Sequence, residues 1–242
     1  NEANAFTTPA VGDVVTVKGN VSEFFDRTQI TLTSAPLVCG DATISATPFG
    51  LPVNTLDDLE ALEGMLVSSS HALVVTDNYG LGRFGQVTLS SQRLFSPTSI
   101  FAPGSAQAIA LEAANALNRI VLDDGDSTQN PELIVFPTGG LSAANSLRLG
   151  DTVSALTGVM DYSFGEYRVT PIEDPTFAST NPRTAAPDLN LGNLKVASLN
   201  VLNYFNNIDT GDVCGPTGES SCRGADSDLE FERQKAKTVA AI

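Results

Sequence analysis

Two stretches of this chain begin alike, and that repetition limits the fold more than any other feature. Gly12-Asp-Val-Val leads to Gly19, and Gly150-Asp-Thr-Val leads to Gly158 with one residue inserted. Each is followed by an acidic and aromatic segment, Glu23-Phe24-Phe25 in the first copy and Tyr162-Ser-Phe-Gly-Glu-Tyr167 in the second. In the first, Val14, Val15 and Val17 give way at Gly19 to Val21, Phe24, Ile30 and Leu32, with the alternation of strands. Asp26-Arg27 is the expected turn. Two β units of one design predict a barrel-like all-β region over 10–175, or two small barrels side by side. Cys39-Gly-Asp41 closes the first hairpin region, its thiol expected as a small buried hydrophobe or a partner for something absent, not a nucleophile.

The chain between the copies mixes strands with short helices. Leu56, Leu59 and Leu62 recur at helical spacing after Thr55, and Gly64 stops them. Strand patterns follow at 65–67, 72–76 and 85–89. Gly80-Leu-Gly-Arg-Phe-Gly85 is formally G-x-G-x-x-G, but a strand and not a helix follows it. A dinucleotide site needs that helix, so this is a glycine-rich hairpin loop. Residues 105–120 read as an alanine-rich helix with Ile109, Ala113, Leu117 and Ile120 on its inner face, running into a strand at 119–122. Asp123-Asp-Gly-Asp-Ser-Thr128 follows. Asp124, Asp126 and Thr128 have the alternate spacing of the first ligands of a calcium loop. The glycine is misplaced and no Glu stands at the twelfth position, so a solvated acidic turn competes with a structural Ca²⁺. Residues 176–193 read as a linker or crossover, dividing 1–175 from 194–242.

Composition removes some functions. Lys and Arg number 13 against 28 Asp and Glu, a net charge of −15, which repels nucleic acid at long range. It leaves room for an enzyme that reaches phosphate through divalent cations. Phe24, Phe25, Tyr162, Phe164 and Tyr167 offer rings for stacking on bases, but with no cluster of Lys or Arg beside them they are expected to fill a core or cover a hairpin. No apolar run reaches the length of a membrane span. Strong acidity with little lysine fits a secreted protein. The chain starts with Asn and shows no leader, as a processed protein or a fragment would. Cys214 and Cys222 flank a Gly-Pro-Thr-Gly segment and are either a disulfide in an oxidising compartment or two reduced thiols. One histidine, His71, and no second cysteine pair argue against zinc.

The last fifty residues change character. Residues 194–199 form an apolar run of strand length, with Asn200 at its carboxyl end, where open α/β sheets place ligand-binding groups. An Asn there offers one acceptor and two N–H donors without adding charge, or simply caps the loop. Ser227 and Glu230 have capping-box spacing for a helix carrying Phe231, Lys235, Thr238, Val239 and Ile242 on one side.

Val196-Ala-Ser-Leu-Asn-Val-Leu-Asn-Tyr-Phe205, Cys222-Arg-Gly-Ala-Asp226 and Phe231-Glu-Arg-Gln-Lys-Ala-Lys237 together resemble the opening of the catalytic domain of secreted bacterial nucleases. These belong to the endonuclease/exonuclease/phosphatase superfamily, which includes pancreatic deoxyribonuclease. Upstream, Gly12 to Phe24, Glu63-Gly-Met-Leu-Val67, Leu122-Asp-Asp-Gly125 and Asn181-Pro-Arg183 resemble the same proteins in the same order. The resemblance implies a mainly β, OB-like region with a few helices, followed by the first strand, loop and helix of a four-layer α/β sandwich. It implies phosphodiester hydrolysis of DNA, and of RNA as a further substrate, with Mg²⁺ or Mn²⁺ for catalysis and Ca²⁺ for structure, in an extracellular bacterial enzyme. Asn200 matches the family's first active-site motif, placing metal and scissile phosphate. Arg223, Asp226, Arg233 and Gln234 fall in its next segment with supporting roles. The metal-binding Glu, the histidines and later Asp and Asn ligands are expected beyond position 242, and the first OB-like strands before Asn1, leaving the 242 residues inactive by themselves. The competing readings are a β module that binds nucleic acid or polysaccharide, a Ca²⁺-bound spacer, and a phosphatase or phospholipase of the same superfamily.

Overall fold

The computed structural model describes residues 6–142, 144–185, 193, 194, 196, 198–201, 203–205, 208, 213, 214, 220, 221 and 224–241. It divides into two units, Asn1–Arg183 and Thr184–Ile242. The boundary falls within the predicted linker, but the early part of that linker belongs to the first unit, because Asn181 donates its side-chain N–H to the Leu149 carbonyl at 2.7 Å.

The first unit opens with β1 (Asp13–Thr16), β2 (Gly19–Phe24), β3 (Arg27–Leu32), β4 (Leu37–Asp41) and β5 (Thr47–Phe49). β1 pairs antiparallel with β4, and β2 with β3 as a hairpin. Then come α1 (Asp57–Glu60), β6 (Leu66–Ser69), β7 (Leu73–Asp77), α2 (Leu81–Phe84), β8 (Val87–Ser90), α3 (Ala106–Ala116) and β9 (Ile120–Leu122). β10 (Thr152–Val153), β11 (Thr157–Ser163), β12 (Glu166–Pro171) and β13 (Phe177–Ala178) complete it. One nine-stranded sheet, ordered β13-β10-β7-β8-β9-β12-β11-β6-β5, takes in most of the strands of this unit and curls into a half-barrel. The protein is mainly β with a few helices, as expected. The sheet buries the alternate residues of its strands, with Leu73, Val75, Leu89, Ile120, Leu122, Met160 and Val169 at the centre of the core.

Three local expectations need correction, the first only in part. The six residues from Gly80 lie in the connection between antiparallel β7 and β8, as expected of a hairpin loop, but they are not irregular throughout. They wind one helical turn, α2, which Gly85 ends at φ +68°. The helix at 105 stops at Ala116, capped by the Ser105 hydroxyl, which accepts from the Ala108 N–H at 3.2 Å. It packs through the small Ala108, while Ile109 is exposed. The first hairpin turns at Phe25-Asp26, one residue earlier than read, with both residues at positive φ.

The repeated Gly-Asp signature corresponds to a repeated structure. Gly12 and Gly150 take φ +99° and +96°. Asp13 accepts from the Ala10 N–H at 2.8 Å, and Asp151 from the Arg148 N–H at 2.7 Å, the same three-residue turn. Val15 then pairs with Val38 in the first copy, and Val153 with Phe177 in the second. Gly19 and Gly158 start the two hairpins, and a Cβ on either would collide with the carbonyl of Thr31 or Thr170 on the facing strand. The copies differ in burial. Val21 is 69% exposed, while its counterpart Met160 is 0% exposed.

In the second unit, β14 (Val213–Cys214) pairs with β15 (Ser220–Ser221), and α4 spans Asp228–Ala241. The expected buried strand at 194–199 is absent among its described residues, and Leu194, Val196 and Leu199 are exposed. A continuous apolar run is buried only where a sheet is covered on both faces. Among its described residues this unit offers one ladder of two-residue strands. The capping box forms in part: Ser227 Oγ accepts from the Glu230 N–H at 3.3 Å, while the return bond goes to the residue before the cap. The Glu230 carboxylate reaches back to the Asp226 N–H at 3.0 Å. Phe231, Gln234 and Thr238 are the half-buried side of α4, whereas Lys235 and Val239 are exposed. Ile242 lies outside the described residues.

Candidate functional site

The tips of the two equivalent hairpins face one groove of about 1040 Å³. Two-residue hairpin loops favour left-handed backbone at both positions, because that twist suits the strands, and Asn-Gly is the favoured pair. Here the first loop is Phe25-Asp26, at φ +52° and +61°, and the second is Phe164-Gly165, at +54° and +80°. Each phenylalanine thus occupies a conformation that costs about 1–3 kcal/mol for a residue other than glycine. Neither ring is used to fill the core: Phe25 is 81% exposed and Phe164 84%. Phe24 packs edge-on against Phe25 at 4.7 Å between centroids. Of the two places expected for these aromatics, a core or the cover of a hairpin, the three phenylalanines lie on the hairpins and not in the core. Tyr167 is half-buried, packs against the core and lies 4.8 Å from Tyr162.

Arg168 organises the floor. It projects from β12, where parallel pairing sets it beside Val121 of β9. Its guanidinium pairs with Asp123, directly after β9, and donates to the Ser163 carbonyl at 2.6 Å. It also lies 5.3 Å from the Phe164 ring centroid. Both Arg168 and Asp123 are buried. Arg168 Nε, also buried, has no hydrogen-bond partner among the described residues. The acidic loop is wound by its own side chains. Asp123, Asp124 and Asp126 accept from the N–H groups of Gly125, Asp126 and Thr128 at 2.7, 2.9 and 2.9 Å. The Thr128 hydroxyl and N–H hold the Asp126 carboxyl below its ordinary value, while burial pushes Asp124 up. Asp124 lies against Gly85, where a Cβ would overlap its carboxylate, so the glycine that ends α2 also makes room for this loop.

The wall beside the first hairpin is polar. Arg27 Nε meets Asp161 at 2.8 Å, and the Thr28 N–H donates to Glu63 at 3.0 Å. Tyr167 donates to Glu60 at 2.6 Å, and burial together with that bond pushes its phenol up. Burial, then repulsion from Glu60, raises the Glu63 carboxyl. A carboxyl raised on folding favours the native state most below its unfolded value, and that advantage is lost as pH rises through the folded value. Glu63→Gln is therefore expected to raise Tm at pH 7 and to lose that advantage near pH 4. Melts of both proteins across that interval test it; an equal Tm at pH 7 contradicts it.

Of the residues singled out from sequence, Phe24, Phe25, Tyr162, Phe164 and Asp126 line this groove, and Asp124 adjoins it. Among the described residues no group of three or more His, Cys, Asp or Glu side chains is placed to hold a metal ion. Asn200, Asp226 and Arg233 are exposed on the second unit. Gln234 is half-buried, its Oε1 without a hydrogen-bond partner among the described residues. Tyr204 stacks on Phe231 at 5.7 Å and 18°. A Cβ on Gly224 would stand 3.0 Å from the Phe205 ring, so the stretch after Asn200 lies against the start of α4. Cys222 and Arg223 lie outside the described residues, which leaves the Cys214–Cys222 pairing outside them too. Cys39 is exposed, not buried, with its thiol 3.3 Å from the Thr16 hydroxyl. His71 Nδ1 lies 3.1 Å from the Ser70 hydroxyl, and its buried Nε2 has no partner among the described residues.

The model of a domain of unknown function, DUF8508, matches residues 28–185, well over half of the chain. The chain belongs to the DUF8508 family. No curated protein and no solved structure matches it. The DUF8508 match takes in Asp123, Arg168 and Phe164 and starts inside β3, so Phe24 and Phe25 precede it. Arg168 was not singled out from sequence, and Phe25 and Phe164 were named there only as rings expected to fill a core or cover a hairpin. One signal was available: Phe25 and Phe164 stand at the same place in the two copies, where a hairpin turn favours Asn or Gly.

Proposed function

We propose that this chain is part of a secreted, divalent-metal-dependent nuclease that hydrolyses the phosphodiester bonds of DNA, its first unit an accessory β module and its second the opening of the catalytic domain. The observation that carries this reading lies in the second unit. The stretch beginning at Asn200 is packed through Tyr204 and Phe205 against Phe231 and Gly224, so two segments that resemble the nuclease motif lie side by side. Asn200 is exposed, as a group that meets substrate must be. Its amide can donate to a phosphate oxygen without adding negative charge to an already acidic chain. The chemistry of the nuclease superfamily that the sequence resembles also needs Mg²⁺ or Mn²⁺, which stabilises the charge developing on phosphate. One neutral amide and no converging carboxylates among the described residues do not fit such a centre. The part assigned to this chain is to orient the phosphate.

The 242 residues alone are expected to leave plasmid DNA intact in Mg²⁺ or Mn²⁺. In the longer protein that contains them, DNA is expected to be cut, with loss on chelation. There, Asn200→Ala is expected to lower kcat by about 10²-fold, as for loss of an oriented transition-state donor, at unchanged Tm. A longer protein that cuts neither DNA nor RNA, or an Asn200→Ala variant that cuts at the parent rate, overturns the reading.

A further inference from the structure

We propose that the groove between the two hairpin tips is a binding site for a neutral polysaccharide chain. The inference rests on the first unit alone and is independent of the nuclease reading. Its strongest support is the repetition of a costly choice. At equivalent turn positions the chain places phenylalanine in left-handed backbone and leaves both rings in water. Asn or Gly would make the same turn with less strain, so neither hairpin formation nor the core calls for these rings. Both line the same groove, with Phe24 beside one and Tyr162 near the other. Flat apolar faces set on two rigid hairpins suit the C–H faces of pyranose rings.

Charge decides between sugar and nucleic acid. The groove has two cations, Arg27 and Arg168, and each is already paired, with Asp161 and Asp123. Asp26 and Asp126 also line it, without a cationic partner among the described residues. A phosphodiester backbone would meet net negative charge with no uncommitted Arg or Lys in the groove to neutralise it. Sugar hydroxyls are the complementary ligand, because a carboxylate only accepts hydrogen bonds and a hydroxyl can donate. Gln86 and Ser127, also in the lining, add groups that both donate and accept. The volume of about 1040 Å³ is at the upper end for small-molecule pockets and leaves room for several linked rings.

The test is electrophoresis of the whole chain in native gels cast with laminarin, dextran or galactomannan, beside a fluorescent single-stranded oligonucleotide in solution. At least one of the three glycans is expected to retard the protein, with retardation kept in about 0.5 M NaCl, where exposed ionic contacts are screened. Phe25→Asn with Phe164→Asn is expected to weaken that retention at least about tenfold, as for loss of central aromatic anchors. Because Asn tolerates left-handed backbone, the double variant should melt no lower than the parent, so loss of binding cannot be attributed to unfolding. The proposal is overturned if none of the three glycans retards the chain, or if the double variant is retarded equally. Salt-sensitive oligonucleotide binding in place of glycan binding overturns it as well.

Discussion

Arg168→Met is expected to lower the stability of the first unit by about 3–5 kcal/mol, because it leaves a sealed carboxylate without its cation. The fall would be read from the urea midpoint at pH 7. Arg168 and Asp123 are both buried, and their pair ties β12 to the loop after β9. Methionine fills much of the volume but offers no donor to Asp123 or to the Ser163 carbonyl. An unpaired buried charge outweighs any packing gain. Arg168→Met combined with Asp123→Leu is expected to recover most of the loss, since replacing a whole buried pair by apolar groups is often near neutral. It would still lack the bond from the Gly125 N–H to Asp123, worth about 1 kcal/mol. Should the single variant fail to accumulate, the double variant remains measurable and carries the same comparison. A single variant within about 0.5 kcal/mol of the parent would mean that water reaches Asp123 in solution.

That pair also shows where sequence reading stops. The strands of the first unit were legible because their cause is local: alternation in 72–76 and 85–89, glycine stops, and the Gly-Asp turns that reappear with the same hydrogen bonds. The Ser227 and Glu230 cap was legible for the same reason. Arg168 was not, because its partner is 45 residues away and reaches it only through the parallel pairing of β9 with β12. The strand assigned to 194–199 failed in the opposite direction. Its composition suits burial, but burial depends on neighbouring strands that no local pattern can report. Ile109 is a smaller case of the same kind. Helical spacing named a face, and close packing through Ala108 selected another.

The two copies of the Gly-Asp unit turn that lesson into a measurement. Met160→Ala is expected to cost about 2–5 kcal/mol, the range for truncating a fully buried long apolar side chain. Val21→Ala, at the equivalent point of the first copy, is expected to cost less than about 1 kcal/mol, mostly through lost strand propensity. Both residues sit in the same register. Val21 faces Ile30 across its hairpin, and Met160 faces Val169 across the other. Both hairpins also start from a glycine pressed against the facing strand. The truncated groups differ by one heavy atom, and the surroundings differ far more. β11 lies between β12 and β6 in the nine-stranded sheet, with Met160 in the core, whereas among the described residues β2 and β3 pair only with each other. If local structure determined stability, the two truncations would differ only by the one heavy atom more that Met160→Ala removes. Urea titrations of both variants decide it, and a Val21→Ala loss approaching that of Met160→Ala would show that the first copy is covered in solution by something that makes it, too, a core.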